Sequence, residues 1–166
     1  LQEKLTYLAI GANLPAADGS SPLQTCSRAV TAVLALAGVH AGVRSRWFCT
    51  APVPASCQPR YINGVLRLKC SVEPAALLAA LANVEQAFGR LRGVPDAART
   101  LDLDIIDMAG LVRDAPDPVL PHPRAHLRAF VLYPLRDVAP RWVHPASGRD
   151  IGALIADLPS QDTCAV

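Results

Sequence analysis

The spacing of apolar residues changes several times along the chain. Positions 6–10 form a short β-type run that ends at Gly11-Ala12-Asn13-Leu14. From 23 to 37, Ala29, Val30, Val33, Leu34 and Ala37 recur at helical spacing, which predicts an amphipathic helix stopped by Gly38. Positions 43–48 alternate as a strand does, and three prolines between 50 and 59 predict a long exposed loop. Alternation returns at 61–70 with Ile62, Val65, Leu66 and Leu68, and Ser71 then offers a cap for a helix over 74–88. That helix buries Leu77, Leu78, Leu81, Val84 and Phe88 before Gly89 ends it. A Gly/Pro-containing loop at 90–99 leads into an alternating strand at 101–106. Pro116, Pro118, Pro121 and Pro123 mark an extended connection, 130–135 reads as a short strand or packed turn, and 151–156 as a short helix. The order β α β β α β predicts an α+β, ferredoxin-like fold with an antiparallel or mixed sheet.

Length fits this to one domain: 166 residues with 51% hydrophobic content can build a core unaided, and no linker divides them. The longest apolar-rich stretch, 29–39, falls short of the roughly 20 residues a bilayer span needs, and no signal-peptide pattern opens the chain, so a cytoplasmic location is expected. Five cysteines without a C-x-x-C pair predict neither a disulfide framework nor a zinc site. The net charge is only +2, and the basic residues are too dispersed for nucleic-acid binding. Of those 16 cations, 14 are arginines, whose rigid forks suit phosphate or carboxylate. Ala, Pro and Arg are abundant together, as GC-rich coding produces, so position decides which arginines matter.

Position singles out one segment. On a strand, Asp102 and Asp104 project side by side while Leu101, Leu103 and Ile105 enter the core. Two adjacent carboxylates repel unless a cation neutralises them, and Mg²⁺ takes one or two carboxylates together with waters and phosphates. Arg90, Arg92 and Arg99 immediately precede them, which suggests a polyphosphate ligand. The plain alternative is a solvated strand face paired with an arginine-rich surface loop. No P-loop motif is present.

The run Arg99-Thr100-Leu101-Asp102-Leu103-Asp104-Ile105, with Leu120-Pro121-His122-Pro123-Arg124 and Arg128-Ala129-Phe130-Val131-Leu132, resembles the 6-hydroxymethyl-7,8-dihydropterin pyrophosphokinases of folate biosynthesis. Ile10-Gly11-Ala12-Asn13-Leu14, Tyr61-Ile62-Asn63, and Glu85 with Gly89-Arg90-x-Arg92 extend the resemblance over nearly the whole chain. It implies a single pterin pyrophosphokinase domain over 1–166, with three layers, α/β/α, around a central, mainly antiparallel sheet. It also implies ATP as co-substrate, two Mg²⁺ ions on Asp102 and Asp104, and transfer of pyrophosphate to the pterin hydroxymethyl oxygen with release of AMP. Arg90 and Arg99 carry the catalytic role by this match, and Arg92, His122 and Arg128 contact ATP. Thr50, Val53, Tyr61, Asn63 and Phe130 form the pterin site, with Tyr61 and Phe130 stacking on the flat ring and Asn63 bonding its edge. Neither nucleic acid nor membrane is an expected partner, and the expected state is a monomer or weak dimer. The chain departs from the family where a tryptophan and a Gly-Pro pair commonly precede the arginine of the motif; here Asp96-Ala97-Ala98 precede Arg99. The rival reading is a noncatalytic ferredoxin-like domain that binds pterin or nucleotide.

Overall fold

The computed structural model describes residues 2–90 and 98–166. Five of its six strands lie in the order β5-β1-β4-β3-β6, and the sixth, β2, shares an edge of β4 with β3. The strands are β1 (Lys4–Ala12), β2 (Val39–Arg44), β3 (Phe48–Thr50), β4 (Tyr61–Cys70), β5 (Asp102–Met108) and β6 (Thr163–Ala165). Every pairing among them is antiparallel. Four α-helices accompany them among the described residues: α1 (Pro22–Leu34), α2 (Pro74–Ala87), α3 (Ala129–Val138) and α4 (Ile151–Ala156). The chain is thus α+β with an antiparallel sheet, and no described helix is long and apolar enough to cross a membrane.

Period-two alternation divides the core into two clusters. Leu8, Ile10, Leu66 and Leu68 pack with Ala29 and Val33 of α1 and Leu77 and Leu81 of α2. Tyr7 and Val65 pack with Val131, Leu132 and Leu135 of α3 and Leu154 of α4. Burial on both sides explains the near-continuous apolar run at 7–10 of β1.

Three sequence expectations need correction. The strand expected over 43–48 is two strands, because Ser45 and Trp47 act at the break. Ser45 N donates to Val65 O and its hydroxyl accepts from Val65 N, both at 2.9 Å. The Trp47 ring lies so close over Gly64 that a Cβ there would meet it at 2.6 Å, so only glycine permits this crossing. Segment 130–135 is helical, not a strand or turn: Val131, Leu132, Leu135 and Val138 present a helical stripe to the core, and their burial overrides the helix-breaking signal of Pro134. Ser71 does not cap α2; Glu73 is the N-cap, without a side-chain bond, and the Ser71 hydroxyl meets His40 Nε2 at 2.9 Å.

Candidate active site

The ends of β1, β3, β4 and β5 meet the 51–60 loop and the start of α3 around a cavity of about 140 Å³. The β register explains how distant residues arrive together. Gly11 of β1 lies between Asn63 of β4 and Asp102 of β5, while Thr50 of β3 is opposite Tyr61. Gly11 matters by lacking a side chain, since a Cβ there would stand 2.8 Å from Asn63 Oδ1. Ten predicted site residues line the cavity: Thr50, Val53, Tyr61, Asn63, Arg99, Asp102, Asp104, His122, Arg128 and Phe130. Arg90 stands behind them on Asp102, and Arg92 lies outside the described residues.

One side of the cavity is charged. Asp102 Oδ1 is 2.6 Å from Arg99 Nη1 and 2.8 Å from Arg90 Nη1. Arg90 also bonds Glu85, whose Oε1 accepts the Leu103 amide at 2.7 Å, so the inner end of α2 is tied to β5. Burial raises the Glu85 pKa, opposed by that amide and by Arg90. Asp104, two residues on, is held above the usual carboxylate range by burial first and by Asp102 second. Its Oδ2 lies 3.8 Å from His122 Nε2. Burial pushes the His122 pKa down despite Asp104. Because His122 Nδ1 accepts the Arg124 amide at 3.1 Å, the neutral ring carries its proton on Nε2, facing Asp104.

Two half-exposed carboxylates on one strand face are a hard-oxygen donor pair. Among the described residues no group of three or more His, Cys, Asp or Glu could enclose a metal. A cation here therefore needs oxygens beyond the protein's own, which fits Mg²⁺, an ion that usually retains waters and binds substrate phosphates.

The other side is amide and aromatic. Asn63 Nδ2 donates to Thr50 Oγ1 at 2.7 Å, and Tyr61 OH donates to Gln58 Oε1 at 3.1 Å. The Arg128 guanidinium sits 5.2 Å from the Phe130 ring centre, a cation–π contact at the start of α3.

Asn13 was not among the expected site residues, although it is buried at the junction of three segments. Its Oδ1 accepts Arg99 N at 2.8 Å, its backbone N donates to Arg99 O at 3.0 Å, and its Nδ2 donates to Gln58 Oε1 and Pro59 O. A polar residue ending an apolar strand was the available signal. Asp107, the third aspartate of the strand, is structural: it is buried and accepts Gly110 N at 2.9 Å and Trp142 Nε1 at 2.8 Å. Asp107→Ala is expected to cost about 2–3 kcal/mol in urea unfolding by stranding both donors, with catalysis by the remaining folded protein unchanged.

The family model described as 7,8-dihydro-6-hydroxymethylpterin-pyrophosphokinase matches residues 7–140, a span that includes all of these site residues. The chain belongs to that family. Among its relatives is the 2-amino-4-hydroxy-6-hydroxymethyldihydropteridine pyrophosphokinase of Synechocystis sp., 38% identical over 133 residues, 80% of this chain and 68% of the relative. The protein of the same name from Pseudomonas aeruginosa is 36% identical over 153 residues, covering 92% of this chain and 91% of its own. The Haemophilus influenzae pyrophosphokinase is 31% identical over 141 residues, 85% of either chain.

Proposed function

We propose that the chain transfers pyrophosphate from ATP to the hydroxymethyl group of 6-hydroxymethyl-7,8-dihydropterin, releasing AMP, as a step of folate biosynthesis. The observation that carries this reading is the single cavity in which a carboxylate–guanidinium cluster faces an amide and aromatic wall. Asp102 and Asp104 would hold Mg²⁺, two ions in the full site, which would supply charge neutralisation on the phosphate oxygens. Arg99 and Arg90 stabilise charge on the triphosphate, joined by Arg92, while His122 Nε2–H and Arg128 donate to ATP. Thr50, Val53 and Asn63 hold the pterin edge, and Tyr61 and Phe130 take its faces. Holding the hydroxymethyl oxygen in line with the β-phosphorus is the main contribution of the protein, since the bond exchange itself requires no covalent intermediate. The helices on both faces of the sheet support a three-layer, ferredoxin-like reading of one domain over 1–166, acting in the cytoplasm as a monomer or weak dimer.

The test is AMP formation from ATP and Mg²⁺, with and without the pterin. AMP that appears only with the pterin is the expected result; pterin binding without AMP favours the noncatalytic reading. Asn63→Ala is expected to raise the pterin KM roughly 10- to 100-fold, the equivalent of one or two lost hydrogen bonds, with the ATP KM within about twofold. Equal changes in both constants would remove Asn63 from the pterin half.

A further inference from the structure

Two cysteines outside the proposed chemistry face each other beside the cavity. Cys49 of β3 and Cys164 of β6 are partners in the antiparallel ladder, and both are free thiols. Backbone bonds from Ala51 N to Asp162 O (3.1 Å) and from Val166 N to Trp47 O (2.9 Å) flank them two residues away on each side. That alternation places Cys49 and Cys164 at a hydrogen-bonded position of the ladder, where Cα atoms stand about 5.5 Å apart. A disulfide spans about 4.4–6.8 Å between Cα atoms, so the backbone need not move. Directly opposed residues project to one face, and Cys164 Sγ already reaches Cys49 O at 3.6 Å.

The setting suits reaction. Phe48 and Thr50 are buried and Thr50 lines the cavity, so Cys49 between them turns to the opposite face, where it is half-buried and Cys164 is exposed. Arg60 Nε donates to Cys49 Sγ at 3.1 Å. Oxidation needs sulfur atoms that peroxide can reach, and both thiols are at least partly exposed.

The segment carrying Cys164 also joins both walls of the cavity. Gln161 Oε1 accepts Ala129 N at 3.0 Å and its Nε2 donates to Leu127 O at 3.1 Å, beside Arg128 and Phe130. Asp162 accepts the Ala51 amide through its carbonyl, and its carboxylate takes both terminal nitrogens of Arg60 at 2.5 and 3.1 Å, at the two ends of the proline-rich loop.

We propose that Cys49 and Cys164 are a peroxide-sensitive dithiol that closes to an intramolecular disulfide and fastens this strap across the pterin-side walls. The Cys49 sulfur attacks hydrogen peroxide, forming S–O as O–O breaks, and one water leaves. Cys164 then attacks that sulfur, forming S–S as S–O breaks, and a second water leaves. The two thiols lose two electrons and two protons, and the peroxide is reduced to two waters. An exposed bond of this kind is reopened by thiol exchange.

The test treats the purified protein with stoichiometric hydrogen peroxide, then counts thiols and maps tryptic peptides without reduction. Expected are the loss of two of five thiols and a link between the 47–60 and 150–166 peptides, reversed by dithiothreitol. Because the 47–60 peptide also holds Cys57, the variants decide: Cys57→Ser keeps the link, and Cys49→Ser and Cys164→Ser each abolish it. Closing so long a loop is expected to raise Tm by roughly 5–10 °C in wild type and Cys57→Ser alone. A link through Cys57, a link between chains, or no link at all overturns the proposal, and a link without a Tm rise removes the strap.

Discussion

Asp104→Ala is expected to lower pterin-dependent AMP formation by about 10²–10³-fold while leaving pterin affinity within about twofold. The magnitude follows from the role: a metal-binding carboxylate positions charge that the transition state of phosphoryl transfer needs, and single groups aimed at developing charge are worth roughly 10²–10³. Asp104 differs from Asp102 in its neighbours. Asp102 is neutralised by Arg90 and Arg99, whereas Asp104 faces His122 across 3.8 Å. A titration of initial rate against Mg²⁺ separates them. Asp104→Ala retains the arginine cluster and loses metal affinity, and Asp102→Ala also releases two guanidinium groups. The pH dependence has a definite sign. Because burial and Asp102 raise the Asp104 pKa, the proton competes with Mg²⁺ at higher pH than at an ordinary carboxyl near 3.9. As pH falls, Mg²⁺ affinity is lost earlier than for an unperturbed aspartate, and added Mg²⁺ shifts that acid limb downward. An Asp104→Ala enzyme with a tenth of normal activity, or an acid limb indifferent to Mg²⁺, would show that Asp104 does not hold the metal.

The parts of this site legible in the sequence are those whose chemistry is local. Asp102 and Asp104 share a face because they are two residues apart on a strand, and Arg99 reaches Asp102 because it is three residues away. The β4 strand and α4 are readable to their terminal residues, 61–70 and 151–156, because alternation in one and a short apolar helix pattern in the other outweigh the local breakers Asn63-Gly64 and Gly152. Long-range consequences were not readable. The split of β2 from β3 depends on Trp47 crossing Gly64, seventeen residues further along the chain on β4. The α3 helix is decided by burial of its stripe against β4, which no window of 130–135 contains. The three residues of β6 carry no periodicity, and only their pairing with β3 makes them a strand. Asn13 joins three segments by hydrogen bonds to Gln58, Pro59 and Arg99, so its importance appears only once the chain is folded.

Arg99→Ala is expected to reduce kcat by about 10²–10³ with little change in pterin affinity, and Arg99→Lys to recover only part of the loss. The reason lies in how the residue is held. Its backbone is clamped on both sides by Asn13, which accepts Arg99 N at 2.8 Å and donates to Arg99 O at 3.0 Å. Its side chain instead rests on a carboxylate that the proposed metal also requires. Fixed main chain and exchangeable side-chain partner suit a guanidinium that moves from Asp102 to a phosphate oxygen when ATP and Mg²⁺ arrive. Lysine keeps the charge but lacks the planar fork, so it neutralises without fixing two oxygens at once. Asn13→Ala separates anchoring from charge: the guanidinium remains, the side-chain bond to Arg99 N is lost while the main-chain bonds to Arg99 O stay, and kcat is expected to fall about 10-fold, with a larger loss in the Lys background than in wild type. Stopped-flow measurement of single-turnover AMP formation at saturating substrates resolves the chemical step from binding. Should Arg99→Ala raise only the ATP KM and leave the single-turnover rate intact, Arg99 would be a binding residue for ATP alone, and the charge stabilisation of the transfer step would fall to Arg90.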